Sequence, residues 1–237
     1  RIEEDLFCEM EGEQRTMYRA ELKRAQSTLL GIQTPKALSK ERFNLLTSLL
    51  RLRQICCDPR LVREDYSSES AKLEALMEQL EPLMEEGQKV LVFSQFVEML
   101  EILRRTLASR NWTTFFLAGE TENRGDLVRK FQAHEGAATF LISLKAGGFG
   151  LNLTAASYVV LFDPWWNPAT EAQAVDRIHR IGQTRKVMVY RLVAKGTLED
   201  KVMALKAKKA ELFNDVFGDG EFTSTSISAA DIAALLE

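Results

Sequence analysis

Two apolar patterns follow one another along the chain. Leu45, Leu46, Leu49, Leu50, Leu52 and Ile55 recur with helical spacing and the run closes at Cys57-Asp58-Pro59. The first sixty-odd residues are therefore expected to be mostly helical, with a break from Gly31 to Pro35 and a short strand-like alternation at Asp5–Met10. A polar, serine-rich stretch from Asp65 to Ser70 then marks a boundary. Beyond it a helix carrying Leu73, Leu76, Leu80 and Leu83 ends near Gly87 and leads into the wholly apolar Val90–Phe93. The same rhythm repeats with a helix near 97–109 and a strand at 113–117, then a helix near 125–133 and a strand at 139–144. Strands at 158–162 and 187–193 enclose a further helix near 170–180. Short apolar strands separated by helices, most without the alternation of a half-exposed sheet, predict an α/β fold with a doubly wound, mostly parallel sheet. After Gly196 a basic helix is expected from Leu198 to Phe213, and Ser228 can cap a last short helix whose apolar stripe is Ile232, Leu235 and Leu236. The expected organisation is a helical segment over 1–68, an α/β lobe over 69–217 and a tail over 218–237.

Composition sharpens this picture in three ways. With 237 residues and 46% hydrophobic content the chain can bury a full core. Its net charge of −3 and pI near 5.7 argue against a uniformly basic coat for nucleic acid. The charge is uneven, however: residues 15–63 hold eleven Lys/Arg against three acids, a net of +8, whereas 64–86 hold eight acids and only Lys72. Cys8, Cys56 and Cys57 form neither a disulfide framework nor a metal-ligand spacing, so they read as reduced core residues and no metal site is expected. No apolar run approaches the roughly 18 residues of a membrane span and no secretory signal is visible, which predicts an intracellular protein without a membrane partner. The start at Arg1, inside what reads as a structured segment, suggests a piece of a longer protein.

In open α/β sheets ligands bind at the carboxyl ends of the strands. Ser94 and Gln95 follow the first apolar strand, Gly119 and Glu120 the second, Lys145–Gly150 the third, and Asp163–Pro168 the fourth. Gly147, Gly148 and Gly150 allow backbone N–H groups to approach a phosphate, with Ser143 and Lys145 beside them to hold a phosphodiester oxygen. The loop lacks the third glycine of a dinucleotide fingerprint, and no P-loop occurs anywhere in the chain. Arg177 and Arg180, three residues apart, share one face of the expected helix and can converge on a single anion, most naturally a nucleotide phosphate.

Taken together, these segments resemble the C-terminal RecA-like lobe of a Swi/Snf-type ATPase, the DNA-translocating branch of superfamily-two helicases. Lys89–Phe96 resembles motif IV of that family, Leu117, Gly119, Arg124 and Phe131 fit the motif after it, and Ser143–Thr154 resembles motif V. Asp163, Trp166, Asn167 and Pro168 match its Asp-x-x-Trp-Asn-Pro element, and Gln173–Gln183 resembles motif VI. Leu52–Pro59 looks like the family's insertion at the base of the second lobe, and the tail looks more like that of bacterial members than of chromatin remodellers, so a bacterial or archaeal member is expected. Phe149 and Leu144 depart from the usual residues. The resemblance implies Arg177 and Arg180 as catalytic arginine fingers, and Gly148, Gly150, Asn152, Gln173 and Asp176 as ATP-binding. It implies Ser94, Gln95, Arg124, Ser143, Lys145, Trp166 and Asn167 as contacts to double-stranded DNA. ATP with Mg would be held mainly by an N-terminal RecA-like lobe of the same parent chain, because this sequence has neither a P-loop nor an Asp-Glu dipeptide. Alone, the lobe is expected to bind DNA weakly and not to turn over ATP, with a further protein partner possible for the parent. The alternatives are a non-catalytic nucleic-acid or protein binding module, and a dinucleotide enzyme using Glu120. The late position of the glycine loop counts against the second.

Overall fold

In the computed structural model, residues 1–68, 70–146, 151–165, 171, 172, 175, 176, 183–205 and 229–237 are described. Within them, strands β1 (Ile2–Cys8), β2 (Lys89–Ser94), β3 (Thr114–Leu117), β4 (Ala138–Ser143), β5 (Tyr158–Leu161) and β6 (Met188–Ala194) form one sheet. Its order is β1-β6-β5-β2-β4-β3, and every neighbouring pair is parallel. The five apolar strands expected from the sequence are all present. The alternation at Asp5–Met10 belongs to a strand that starts earlier, at Ile2, and pairs with β6 along the sheet edge. Only Cys8 of β1 is buried, so an edge position tolerates Glu3, Glu4 and Asp5, and those charges blur the strand pattern in the sequence.

The helices are α1 (Gly12–Leu30), α2 (Pro35–Cys57), α3 (Ala71–Glu85), α4 (Val97–Ser109), α5 (Arg124–Ala133), α6 (Leu198–Leu205) and α7 (Ala229–Leu236). α2 starts where local chemistry favours it: the Thr34 hydroxyl accepts the Ala37 N–H at 3.1 Å, and Pro35 occupies the first turn. Of the helix expected near 170–180, Glu171, Ala172, Val175 and Asp176 are helical. The extension of α6 beyond Leu205 and the cap at Ser228 lie outside the described residues.

Two apolar layers sandwich the sheet. Leu91, Phe93, Phe140, Ile142, Val159 and Leu161 pack with Val128 and Phe131 of α5 on one face. Val90, Val92, Leu141, Val160 and Phe162 pack with α3 and α4 on the other. This double burial explains why β2 and β4 read as continuous apolar runs. A third core joins α1, α2, α6 and α7 through Tyr18, Leu45, Leu49, Leu52, Leu198, Val202, Ile232 and Leu235. All three cysteines are free and buried.

Candidate nucleotide and nucleic-acid interface

At the carboxyl ends of the central strands, Ser94 stands in register with Ser143, and Phe93 with Leu161 of β5. The chain after β5 therefore emerges beside Ser94. The Ser94 hydroxyl donates to Asp163 Oδ1 and accepts the Phe96 N–H at 3.1 Å, while the Gln95 N–H donates to Asp163 Oδ2 at 3.2 Å. One carboxylate thus ties the loop after β2 to the segment after β5. Burial pushes the Asp163 carboxyl above its ordinary pKa, opposed by the Lys72 ammonium and the Ser94 hydrogen bond.

The other strand ends are bound to this junction. Ser143 accepts the Ala146 N–H at 3.2 Å, closing the turn that leads toward the glycines, and Leu144 N–H donates to Ser94 O at 3.1 Å. Arg124, at the start of α5, donates to Gly119 O at 2.7 Å, Thr121 O at 3.3 Å and Ala146 O at 3.4 Å, bracing the loop after β3 against the approach to the glycines. Lys145 and Asn152 are exposed on either side of that loop. Gln183 Nε2 donates to Thr154 O at 2.7 Å, so the far end of the motif VI segment is pinned to the end of the motif V segment. Asp176 is exposed and pairs with Arg1 at 3.4 Å.

Ser94, Gln95, Arg124 and Ser143 are accordingly brought together at one sheet edge, with Lys145 beside them. Ser94 and Ser143 are buried, their hydroxyls engaged within the protein, whereas Gln95 and Arg124 are partly exposed. Gly148, Gly150, Trp166, Asn167, Gln173, Arg177 and Arg180 lie outside the described residues. Trp165, which sequence reasoning passed over, is buried under the same edge with its ring 5.6 Å from Phe93 in an edge-to-face contact.

Sequence reasoning also missed the buried charges that hold this edge. Lys72 Nζ, fully buried on α3, donates to the Phe162 carbonyl at 3.0 Å and pairs with Glu199 Oε1 of α6 at 2.7 Å. Burial disfavours the ammonium, yet Glu199 holds its pKa above the ordinary lysine value. Gly196, at φ +71°, makes the tight turn after β6 that lets Glu199 fold back onto the Ala194 N–H at 2.8 Å. Arg53 of α2 donates to Gln95 Oε1 and lies 5.4 Å from the Phe96 ring centroid. Arg191 of β6 is buried between Asp5 of β1 and the helical residue Glu171. The only local hint was the lone Lys72 among eight acids.

Among the described residues no group of three His, Cys, Asp or Glu side chains could hold a metal ion, and no helix is long and apolar enough to cross a membrane.

Comparison with known proteins places this architecture. The helicase conserved C-terminal domain family matches residues 71–182. An uncharacterised ATP-dependent helicase of Mycoplasma pneumoniae is 34% identical over 239 residues, covering all of this chain and 23% of that protein. The chain thus spans about a quarter of the length of such curated relatives. Among solved structures, the SWI2/SNF2 ATPase C-terminal domain of Sulfolobus solfataricus superposes with a TM-score of 0.76 at 34% identity, covering all of this chain and 98% of that one. The SWI2/SNF2 ATPase core of the same organism in complex with dsDNA gives a TM-score of 0.79 at 35% identity over all of this chain and 50% of that one. The chain belongs to the SWI2/SNF2-type helicase C-terminal domains.

Proposed function

We propose that this chain is the second motor lobe of an ATP-dependent double-stranded DNA translocase or remodelling ATPase. One observation carries the reading: the loop after β2, the approach to the glycine loop and the segment after β5 meet at one carboxyl edge, joined by Asp163 to Ser94 and Gln95 and by the Leu144 N–H to the Ser94 carbonyl. A sheet edge of this kind is where α/β proteins bind ligands, and a solved relative with the same fold has been captured with dsDNA.

In this reading the exposed part of the edge meets the phosphate backbone. Gln95, Arg124 and Lys145, with Trp166 and Asn167, contact the duplex. Ser94 and Ser143 act from beneath by fixing the two loops through Asp163 and Ala146. Contacts to phosphate position the protein without reading sequence, so binding shows little base preference. Gly148, Gly150, Asn152, Gln173 and Asp176 face the nucleotide. Arg177 and Arg180 close on the γ-phosphate, where guanidinium stabilises charge developing in the transition state. The substrate is ATP with Mg, held mainly by an N-terminal lobe that supplies the P-loop. The same loop touches both ligands, and that links nucleotide state to grip on DNA.

The test is Arg180→Ala in the full-length ATPase carrying this lobe. Turnover falls by on the order of 10³-fold while ATP and duplex binding persist. Ordinary DNA-stimulated turnover in that variant removes Arg180 from the mechanism.

A further inference from the structure

The α1–α2 hairpin rises from the same edge of the sheet. β1 runs parallel to the other strands and ends at Cys8, and α1 begins at Gly12, so the first turn of α1 lies at the carboxyl edge. α2 returns to that edge and fastens there through Arg53 and Gln95. The buried face of α1 carries Gln14, Tyr18, Glu21 and Ala25. Its exposed side carries Arg15, Arg19 and Lys23 at successive intervals of four, a row spanning about 12 Å along the helix axis. That length is close to the Debye length of about 10 Å at 0.1 M salt, so the three charges act on a ligand together.

Stability of the helix does not explain this row. Like charges at i and i+4 destabilise a helix, and here two such steps are stacked. Arg15 lies in the first turn, where the helix dipole favours anions. Arg19 and Lys23 have no acid three or four residues away, and Arg15 has only Glu11. The acids of α1 are engaged elsewhere, Glu13 with Arg63 and Glu21 with Arg24, and among the described residues no ion pair includes Arg15, Arg19 or Lys23. Three exposed cations in line, at the edge that carries the proposed DNA-facing loops, constitute a surface for a polyanion that meets those loops too.

We propose that the Arg15–Arg19–Lys23 row is a second phosphate-binding surface for duplex DNA, engaging the backbone beyond the segment held by the carboxyl-edge loops. This rests on the motor-lobe reading. The row adds affinity and footprint, and it has no part in nucleotide chemistry.

The experiment compares the full-length ATPase with its R15Q/R19Q/K23Q variant, measuring duplex affinity against salt concentration and ATP turnover at saturating duplex. Each phosphate contact contributes about 0.9 to the slope of log K against log salt, so the variant's slope is shallower by about 2.7. Its half-saturating DNA concentration at 0.1 M salt rises about tenfold or more, while turnover at saturation is unchanged. The charge-retaining R15K/R19K variant keeps the original slope. A slope in the triple variant equal to that of the unsubstituted protein overturns the proposal and makes the row a solvated face or a seat for an acidic protein. Absence of salt-dependent duplex binding in the unsubstituted protein is a different result: it overturns the motor-lobe reading, and this surface with it.

Discussion

Asp163 is buried with a hydroxyl and a backbone N–H directed at its oxygens, yet its pKa lies above the ordinary carboxyl value because burial outweighs those donors and the nearby Lys72. The native protein therefore holds this proton to higher pH than the unfolded chain does. Between the ordinary carboxyl pKa and the raised one, the native state binds more protons than the unfolded state, so stability falls as pH rises across that window. Asp163→Asn keeps an oxygen to accept from Ser94 and Gln95 but cannot titrate. The difference in thermal midpoint between Asp163→Asn and the unsubstituted protein, followed from pH 4 upward, shifts in favour of the Asn variant as pH rises. A constant difference across the series contradicts the raised pKa. None of this was legible in the sequence, where Asp163 was visible only as a strand-end residue and the first letter of a motif. Its burial depends on β5 lying beside β2, a long-range consequence of strand order.

The elements show the opposite balance. The five apolar strands and the helices α3, α4 and α5 were legible because each is amphipathic or wholly apolar over a length that admits one period. β1 was only half legible, since an edge strand may be charged where a central strand may not. What periodicity cannot supply is how the elements are joined, and α1 and α6 illustrate this. The Tyr18 hydroxyl, on the buried face of α1, accepts the Leu198 N–H at 2.8 Å and so satisfies a donor in the first turn of a helix 180 residues away. Burial raises the Tyr18 pKa well above the ordinary tyrosine value. Tyr18→Phe preserves the ring packing but leaves that N–H without its partner, at a cost of about 1–3 kcal/mol. The urea midpoint falls accordingly with an unchanged m value; an unaltered midpoint shows that the bond contributes nothing net.

For the whole molecule, the sheet core and the helical core formed by α1, α2, α6 and α7 are linked by buried charges as well as by apolar contact. Lys72 joins α3 to Glu199 on α6 and to the Phe162 carbonyl. Arg53 joins α2 to Gln95 and Phe96. Apart from the isolation of Lys72 among acids, neither cation's role is legible in the sequence, because the partner of Arg53 is 42 residues distant and that of Lys72 is 127. If Arg53 orients the Gln95 amide, the hairpin and the loop after β2, which the motor-lobe proposal turns toward DNA, form one mechanical unit, and disturbing either partner produces the same loss. Arg53→Lys retains the charge but loses the planar fork and the stack on Phe96. On the motor-lobe proposal, Arg53→Lys in the full-length protein raises the duplex concentration for half-maximal stimulation of ATP turnover several-fold, and Gln95→Ala does the same. Residues acting through one contact are not additive. Adding Arg53→Lys to Gln95→Ala therefore produces little further change, whereas an equal fold-change in both backgrounds means that Arg53 supports the fold generally and does not act through Gln95.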